Sequence, residues 1–217
     1  MQSGIIESGF AAYAQCWAEQ TRATMILTTA AALLTLSLTL PAIAQTPTPT
    51  PPTVPFDSKG VCPFECCTYR TWTVRTDTDI LVDRTPGAPV AFRVHRGERV
   101  EGVTGVVVTT TLGRAVVRRA VTLGVESGPI AVQPGDAVYI LHYSGEGYWT
   151  FWAHGRIDAD QIPGKDEGCV DDAGESISCA VQIIEAPRTT WWAKIRSGGK
   201  EGWTSHLDHF GEIDACS

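Results

Sequence analysis

The sequence predicts an all-β protein held by disulfide staples, and two observations carry that prediction. Short runs of β-branched and aromatic residues recur between positions 80 and 196, with Gly- and Pro-containing turns between them, and helical periodicity is nearly absent after the first 45 residues. Many short strands joined this way form barrels or sandwiches. Six cysteines follow an export-type leader, an even number in a chain bound for an oxidising compartment.

The leader comes first. Residues 27–40, "LTTAAALLTLSLTL", are 14 apolar or small uncharged residues that stop at Pro41. Ala42 and Ala44 follow in the small-x-small arrangement that signal peptidase admits, which places the cut after Ala44 and makes 1–44 a signal peptide. A spanning helix needs roughly 20 apolar residues, so the run is short for a permanent anchor, the alternative reading. The stretch before it carries Glu7 and Glu19, and only Arg22 is positive there. That is unusual for a signal sequence, and Met25 is an alternative start. No cysteine follows the apolar run directly, which argues against a lipoprotein.

Residues 45–56, "QTPTPTPPTVPF", alternate Thr and Pro. Such a segment favours extended polyproline II and serves as a linker. Beyond residue 44 the chain holds 22 acids and 16 bases, a net charge of −6, with no Lys/Arg run. Nucleic acid is therefore excluded as a partner, since phosphate binding needs concentrated positive charge. No stable membrane span remains after cleavage. The predicted location is periplasmic or secreted.

The cysteines come next. "VCPFECCTYRTW", residues 61–72, places Cys62, Cys66 and Cys67 within six positions. Zinc would need paired knuckles or histidines at ligand spacing, and a redox couple would need C-x-x-C at a helix start. Neither pattern is present, so staples are the favoured reading over metal or redox chemistry. Cys169 and Cys179 flank the polar loop "CVDDAGESISC" and form the expected local pair. Cys216 is expected to tie the C-terminal end to the Cys62/Cys66/Cys67 cluster.

The strands are read at 80–83, 90–94, 105–112, 115–123, 137–143, 148–157, 181–186 and 191–196. Alternation puts Trp149, Phe151 and Ala153 on one face and Thr150, Trp152 and His154 on the other. Trp192, Lys194 and Arg196 likewise oppose Ala193 and Ile195.

The block "TTWWAKIRSGGKEGWTSHLDHF", residues 189–210, has an aromatic-led strand, a glycine hairpin, a Gly202-Trp203-Thr204 strand and a closing turn. It resembles the closing part of the bacterial SH3-like (SH3b) domain. Gly198 and Gly199 supply the positive φ of the hairpin. Gly202 is expected to make room beside a large ring, and Trp203 to plug the barrel. Residues 132–157 and 92–119 follow a similar order. The expected architecture is two small SH3-like barrels in tandem: 57–124 with the Cys-rich segment, and 125–217 with a disulfide-closed insertion at 166–180.

No constellation reads as catalytic. His206, Asp208 and His209 in "SHLDHF" are of metal-ligand type, and two histidines so spaced can share a face of a helical turn. No remote further ligand is marked, so they are read as a polar surface turn. Ser205 beside His206 makes no triad, and G-x-S-x-G is absent. Asp166, Glu167, Asp171, Asp172 and Glu175 cluster in the insertion, but the calcium-loop pattern is missing. No nucleotide motif is present, and no cofactor is expected.

Aromatics are the best functional clue. Trp149, Trp152, Trp191, Trp192, Tyr143 and Tyr148, with Trp203, exceed what a small barrel buries. Adjacent Trp191 and Trp192 must face opposite sides of their strand. Two readings stand: a ligand groove built from these rings, with Trp152 and Trp191 foremost, or a packed contact between the barrels. The resemblance implies a non-enzymatic envelope binding protein whose ligand is a peptidoglycan peptide or an envelope protein. The alternatives are a structural component of an envelope assembly and, third, an accessory protein of an exported hydrolase.

Overall fold

Apart from one 3-10 turn, Leu207–His209, every regular element among the described residues is a β-strand. The structure is a computed structural model and describes residues 49–171 and 173–216. The signal peptide expected at 1–44, Cys16, the start of the Thr/Pro segment and Asp172 lie outside them.

Five strands lead in: β1 (Phe56–Lys59), β2 (Thr71–Val74), β3 (Thr78–Leu81), β4 (Val90–Val94) and the long β5 (Arg99–Thr111). Then follow β6 (Gly113–Val117), β7 (Val121–Leu123), β8 (Ile130–Val132), β9 (Val138–Gly145), β10 (Tyr148–Ala153) and β11 (Arg156–Gln161). A small hairpin, β12 (Cys169–Val170) with β13 (Ser176–Ile177), precedes β14 (Val181–Glu185). The chain ends with β15 (Arg188–Ser197), β16 (Lys200–Thr204) and β17 (Phe210–Gly211).

These strands build two main sheets. The first runs β17-β2-β5-β15-β16-β3-β4, with β1 also on β5, and curls into a half-barrel. The second runs β11-β10-β9-β6-β14. Each has its own apolar core. Trp72, Val74, Ile80, Val94, Val100, Ala193, Ile195 and Phe210 fill the first. Ala115, Val117, Ile140, Phe151, Ala153, Val181 and Ile183, with Leu123, Ile130 and Val132 of the β7–β8 ribbon, fill the second.

Pairing crosses the boundary expected at 124/125. β15 lies antiparallel to β5 from Arg188↔Thr111 to Arg196↔Glu101. β14 lies antiparallel to β6 from Glu185↔Arg114 to Val181↔Val117. The chain therefore leaves the first sheet near residue 112, builds the second, and returns beside its own exit near residue 187. The sheets are nested in sequence rather than serial. Gly113 permits the side-by-side passage: a Cβ there would sit 2.6 Å from the Glu185 carbonyl oxygen and 2.7 Å from the Pro187 nitrogen. The two sheets are also joined by the buried Thr109, whose hydroxyl donates to the Leu141 carbonyl at 2.8 Å.

Two further details depart from the sequence reading. Residues 148–157 are not one strand but the hairpin β10–β11, which turns at His154 (φ 50°) and Gly155 (φ 82°). The large ring that fills the first core is Trp72, fully buried, rather than Trp203, which is only half-buried. A Cβ on Gly102 would fall 2.7 Å from the Trp72 ring, so Gly102 is the glycine beside a large ring. Gly202 instead admits the β3 backbone, whose Leu81 oxygen would lie 2.5 Å from an added Cβ.

The six described cysteines pair at disulfide distance. Cys169 and Cys179 have Cα atoms 5.2 Å apart and close the β12–β13 insertion. Cys66 and Cys216 lie 5.6 Å apart and tie the C-terminal end to the Cys-rich segment, while Cys62 and Cys67 pair within it at 5.4 Å.

Candidate functional site

β15 sorts its two tryptophans onto opposite faces, as its pleat requires. Trp191 turns toward the Cys-rich segment. Its ring lies edge-on to Phe64 (centroids 5.6 Å) and Tyr69 (6.5 Å), and its Nε1–H donates to the Tyr69 oxygen at 3.1 Å. Tyr69 in turn donates to the Val61 carbonyl. Trp191 is thus a packing residue on the first core.

Trp192 turns to the other face. Lys194 pairs with Trp203 across β15–β16, so Trp192, two residues from Lys194, is a same-face diagonal neighbour of Trp203. Both indoles line a groove of ≈ 720 Å³, the size of a ligand cleft. Val108, Thr110 and Thr190 continue its floor, and the loop after β3 supplies Asp83, Arg84, Thr85 and Pro86 as one wall. Pro55 and Asp57 complete the rim.

Its electrostatics are set by a few short contacts. The Arg84 guanidinium lies 5.3 Å from the Trp203 ring centroid and the Lys194 ammonium 5.9 Å, both within cation–π range. Arg84 Nη2 donates to Asp57 Oδ2 at 2.6 Å, and that bond holds the Asp57 carboxyl below its ordinary range despite partial burial. Lys194 pairs with Glu201 at 2.7 Å. The loop wall is braced by the Val82 N–H on the Pro89 carbonyl (2.9 Å) and by Asp83 accepting the Thr85 N–H (2.8 Å). An aromatic floor with one arginine poised above it suits a ligand with flat or apolar groups and a polar backbone.

The other expected rings do not join this groove. Trp152 is buried, 6% exposed, against Tyr139 at 5.8 Å between ring centroids. Trp149 packs on the second core and meets Tyr143 edge-on at 5.0 Å. Tyr148 borders a separate cleft of ≈ 460 Å³ with Phe64, Cys66 and Glu126. Of the six candidates, Trp192 alone lines the groove, and its partner is Trp203, which the sequence assigned to the core. The same-face spacing of Trp192, Lys194 and the β16 tryptophan is the pattern that identifies it.

One Ser–His pair exists inside the second sheet. Ser144 Oγ lies 3.4 Å from His142 Nδ1, but that nitrogen also lies 3.0 Å from the Tyr143 carbonyl, an acceptor only. Nδ1 therefore carries the proton and cannot take one from Ser144. Burial pushes the His142 pKa down, against the raising effect of its bond to the Tyr143 carbonyl, and so favours the neutral ring. In the acidic insertion two carboxylates serve their own turns: Asp171 Oδ1 accepts from the Ala173 and Glu175 N–H groups, and Glu167 accepts from the Gly164 N–H.

Two side-chain groups among the described residues have ligand-type atoms close enough for a metal ion. One is Cys66, Asp214 and Cys216, in which both sulfurs are already paired. The other is His206, Asp208 and His209 on the 3-10 turn.

No protein-family model, curated protein or solved structure matches this chain.

Proposed function

We propose that this chain is an exported, non-enzymatic binding protein of the bacterial envelope, built on SH3-like barrels, with the Trp192/Trp203 groove as its ligand site. The observation that carries the reading is the pair of same-face indoles flooring a ≈ 720 Å³ groove under Arg84. Grooves of this kind accept extended peptides, whose apolar groups lie on the rings while the backbone hydrogen-bonds to the rim. The strand order supports the SH3-like reading: β2 to β5 are completed by a glycine hairpin, a 3-10 turn and the short β17, with β6 to β14 lodged between β5 and β15. Cysteines paired at disulfide distance, and the absence among the described residues of a helix long and apolar enough to span a membrane, are compatible with an exported protein.

The ligand class that fits is an extended peptide of the envelope, with peptidoglycan stem peptide the first candidate. Co-sedimentation of the oxidised chain with purified peptidoglycan tests it, with tryptophan fluorescence read on addition of soluble stem peptide. The expected result is retention, with binding at least tenfold weaker in the Trp192→Ala/Trp203→Ala variant. No retention and no fluorescence change would leave the structural-component reading. Unchanged binding by the double variant would move the ligand elsewhere.

A further inference from the structure

We infer that His206, Asp208 and His209 form a binding site for a divalent transition cation of the zinc class, independent of the peptide groove. The Nε2 or Nδ1 of each histidine and a carboxylate oxygen of Asp208 can all lie within 4.8 Å of one another. Tetrahedral zinc with bonds of about 2.0–2.1 Å places neighbouring ligand atoms roughly 3.4 Å apart, so small side-chain rotations close the set. Two imidazoles and one carboxylate make a borderline donor set, which favours zinc over calcium or magnesium.

The second, independent observation lies behind the turn. Thr78, 2% exposed on β3, donates its only hydroxyl proton to the Thr76 carbonyl at 2.7 Å. Its oxygen also lies 2.8 Å from His209 Nδ1. With that proton committed, the contact works only if Nδ1 carries a hydrogen and donates it to Thr78. The neutral His209 ring that this contact selects is the Nδ1–H tautomer, which leaves the lone pair on Nε2, the nitrogen 3.9 Å from Asp208 Oδ2. This is the arrangement by which outer-sphere acceptors orient metal-ligating histidines.

The backbone is fixed as well. The His209 carbonyl accepts the Arg75 and Thr76 N–H groups, His209 N–H bonds back to the His206 carbonyl, and His206 N–H reaches the buried Thr204 hydroxyl. The two imidazoles lie nearly parallel, 13° between planes and 5.0 Å between centroids. A cleft of ≈ 380 Å³ beside them, lined by Asp77, Asp79 and Ser205, leaves a fourth coordination position to solvent. The nearby Arg93 is bound to Asp79 through two nitrogens, at 2.7 and 3.0 Å, which lowers its repulsion toward a cation.

The test is calorimetric titration of the oxidised full chain with Zn²⁺, after a thiol assay has shown no free cysteine. One equivalent is expected to bind with micromolar affinity, and His206→Ala, an exposed position, should weaken it at least tenfold. Thr78→Val should also weaken it severalfold while Thr78→Ser restores it, and nitrogen-15 shifts of His209 in the metal-free chain should report the Nδ1–H tautomer. Absence of saturable Zn²⁺ binding overturns the site. So does binding that His206→Ala leaves unchanged, or a His209 protonated at Nε2 alone.

Discussion

Asp158 shows how much one buried carboxylate organises. Its side chain is fully buried and accepts N–H groups from Val125, Glu126, Ser127 and Ala159, so it shapes the loop between β7 and β8. Burial pushes its carboxyl up, but the four donors outweigh that and hold it below its ordinary value. A depressed pKa contributes stability that is present above the unfolded value, about 3.9, and lost as pH falls through the lower folded value. Asp158→Ala is expected to cost about 3 kcal/mol at pH 7, because it removes the shared acceptor of these N–H groups, and less near pH 3. Denaturant unfolding at both pH values checks this; an equal cost at each would refute the electrostatic account. The sequence gives no hint of this role, because Asp158 sits in an alternating strand where acids are normally solvent-facing. His209 is similar: its spacing from His206 is visible in the chain, but the Thr78 contact that fixes its tautomer joins residues 131 apart.

Among the elements, the β15–β16 hairpin was the most legible. Its turn glycines adopt φ 55° and 77°, as a tight two-residue turn demands, and Ala193 and Ile195 face the core as the alternation indicates. The β10–β11 turn was hidden because His154-Gly155 continues an aromatic run without an obvious break. Close approaches between elements were less legible still. Gly102 on β5 exists for the Trp72 ring of β2, and Gly102→Ala drives a methyl to 2.7 Å from it. Overpacking of this kind costs typically about 1–3 kcal/mol. We expect that loss by thermal denaturation, together with a perturbed near-ultraviolet signal from Trp72. A neutral variant would mean that the β2–β5 packing is looser than described.

At the scale of the whole molecule the governing feature is nesting. β5 and β15 are neighbours in the first sheet, yet the entire second sheet separates them in sequence. A fragment of residues 57–124 therefore lacks Ala193, Ile195 and Phe210 of its own core. It is expected to show no cooperative unfolding transition, whereas the full chain shows one; a cooperative melt of the fragment would restore the tandem arrangement. The sequence by itself determined the strand content, the hairpin turn and one local cysteine pair, Cys169–Cys179, and it brought Cys216 to the Cys62/Cys66/Cys67 cluster without choosing its partner. These follow from local chemistry: β-branched runs, glycine dihedrals and loop length. Only the tertiary structure decided which strands share a sheet, which tryptophan is core and which is groove, and what stands behind His209. Those outcomes depend on pairing between residues far apart in the chain, and a period-2 pattern records which faces a strand has, not what each face meets.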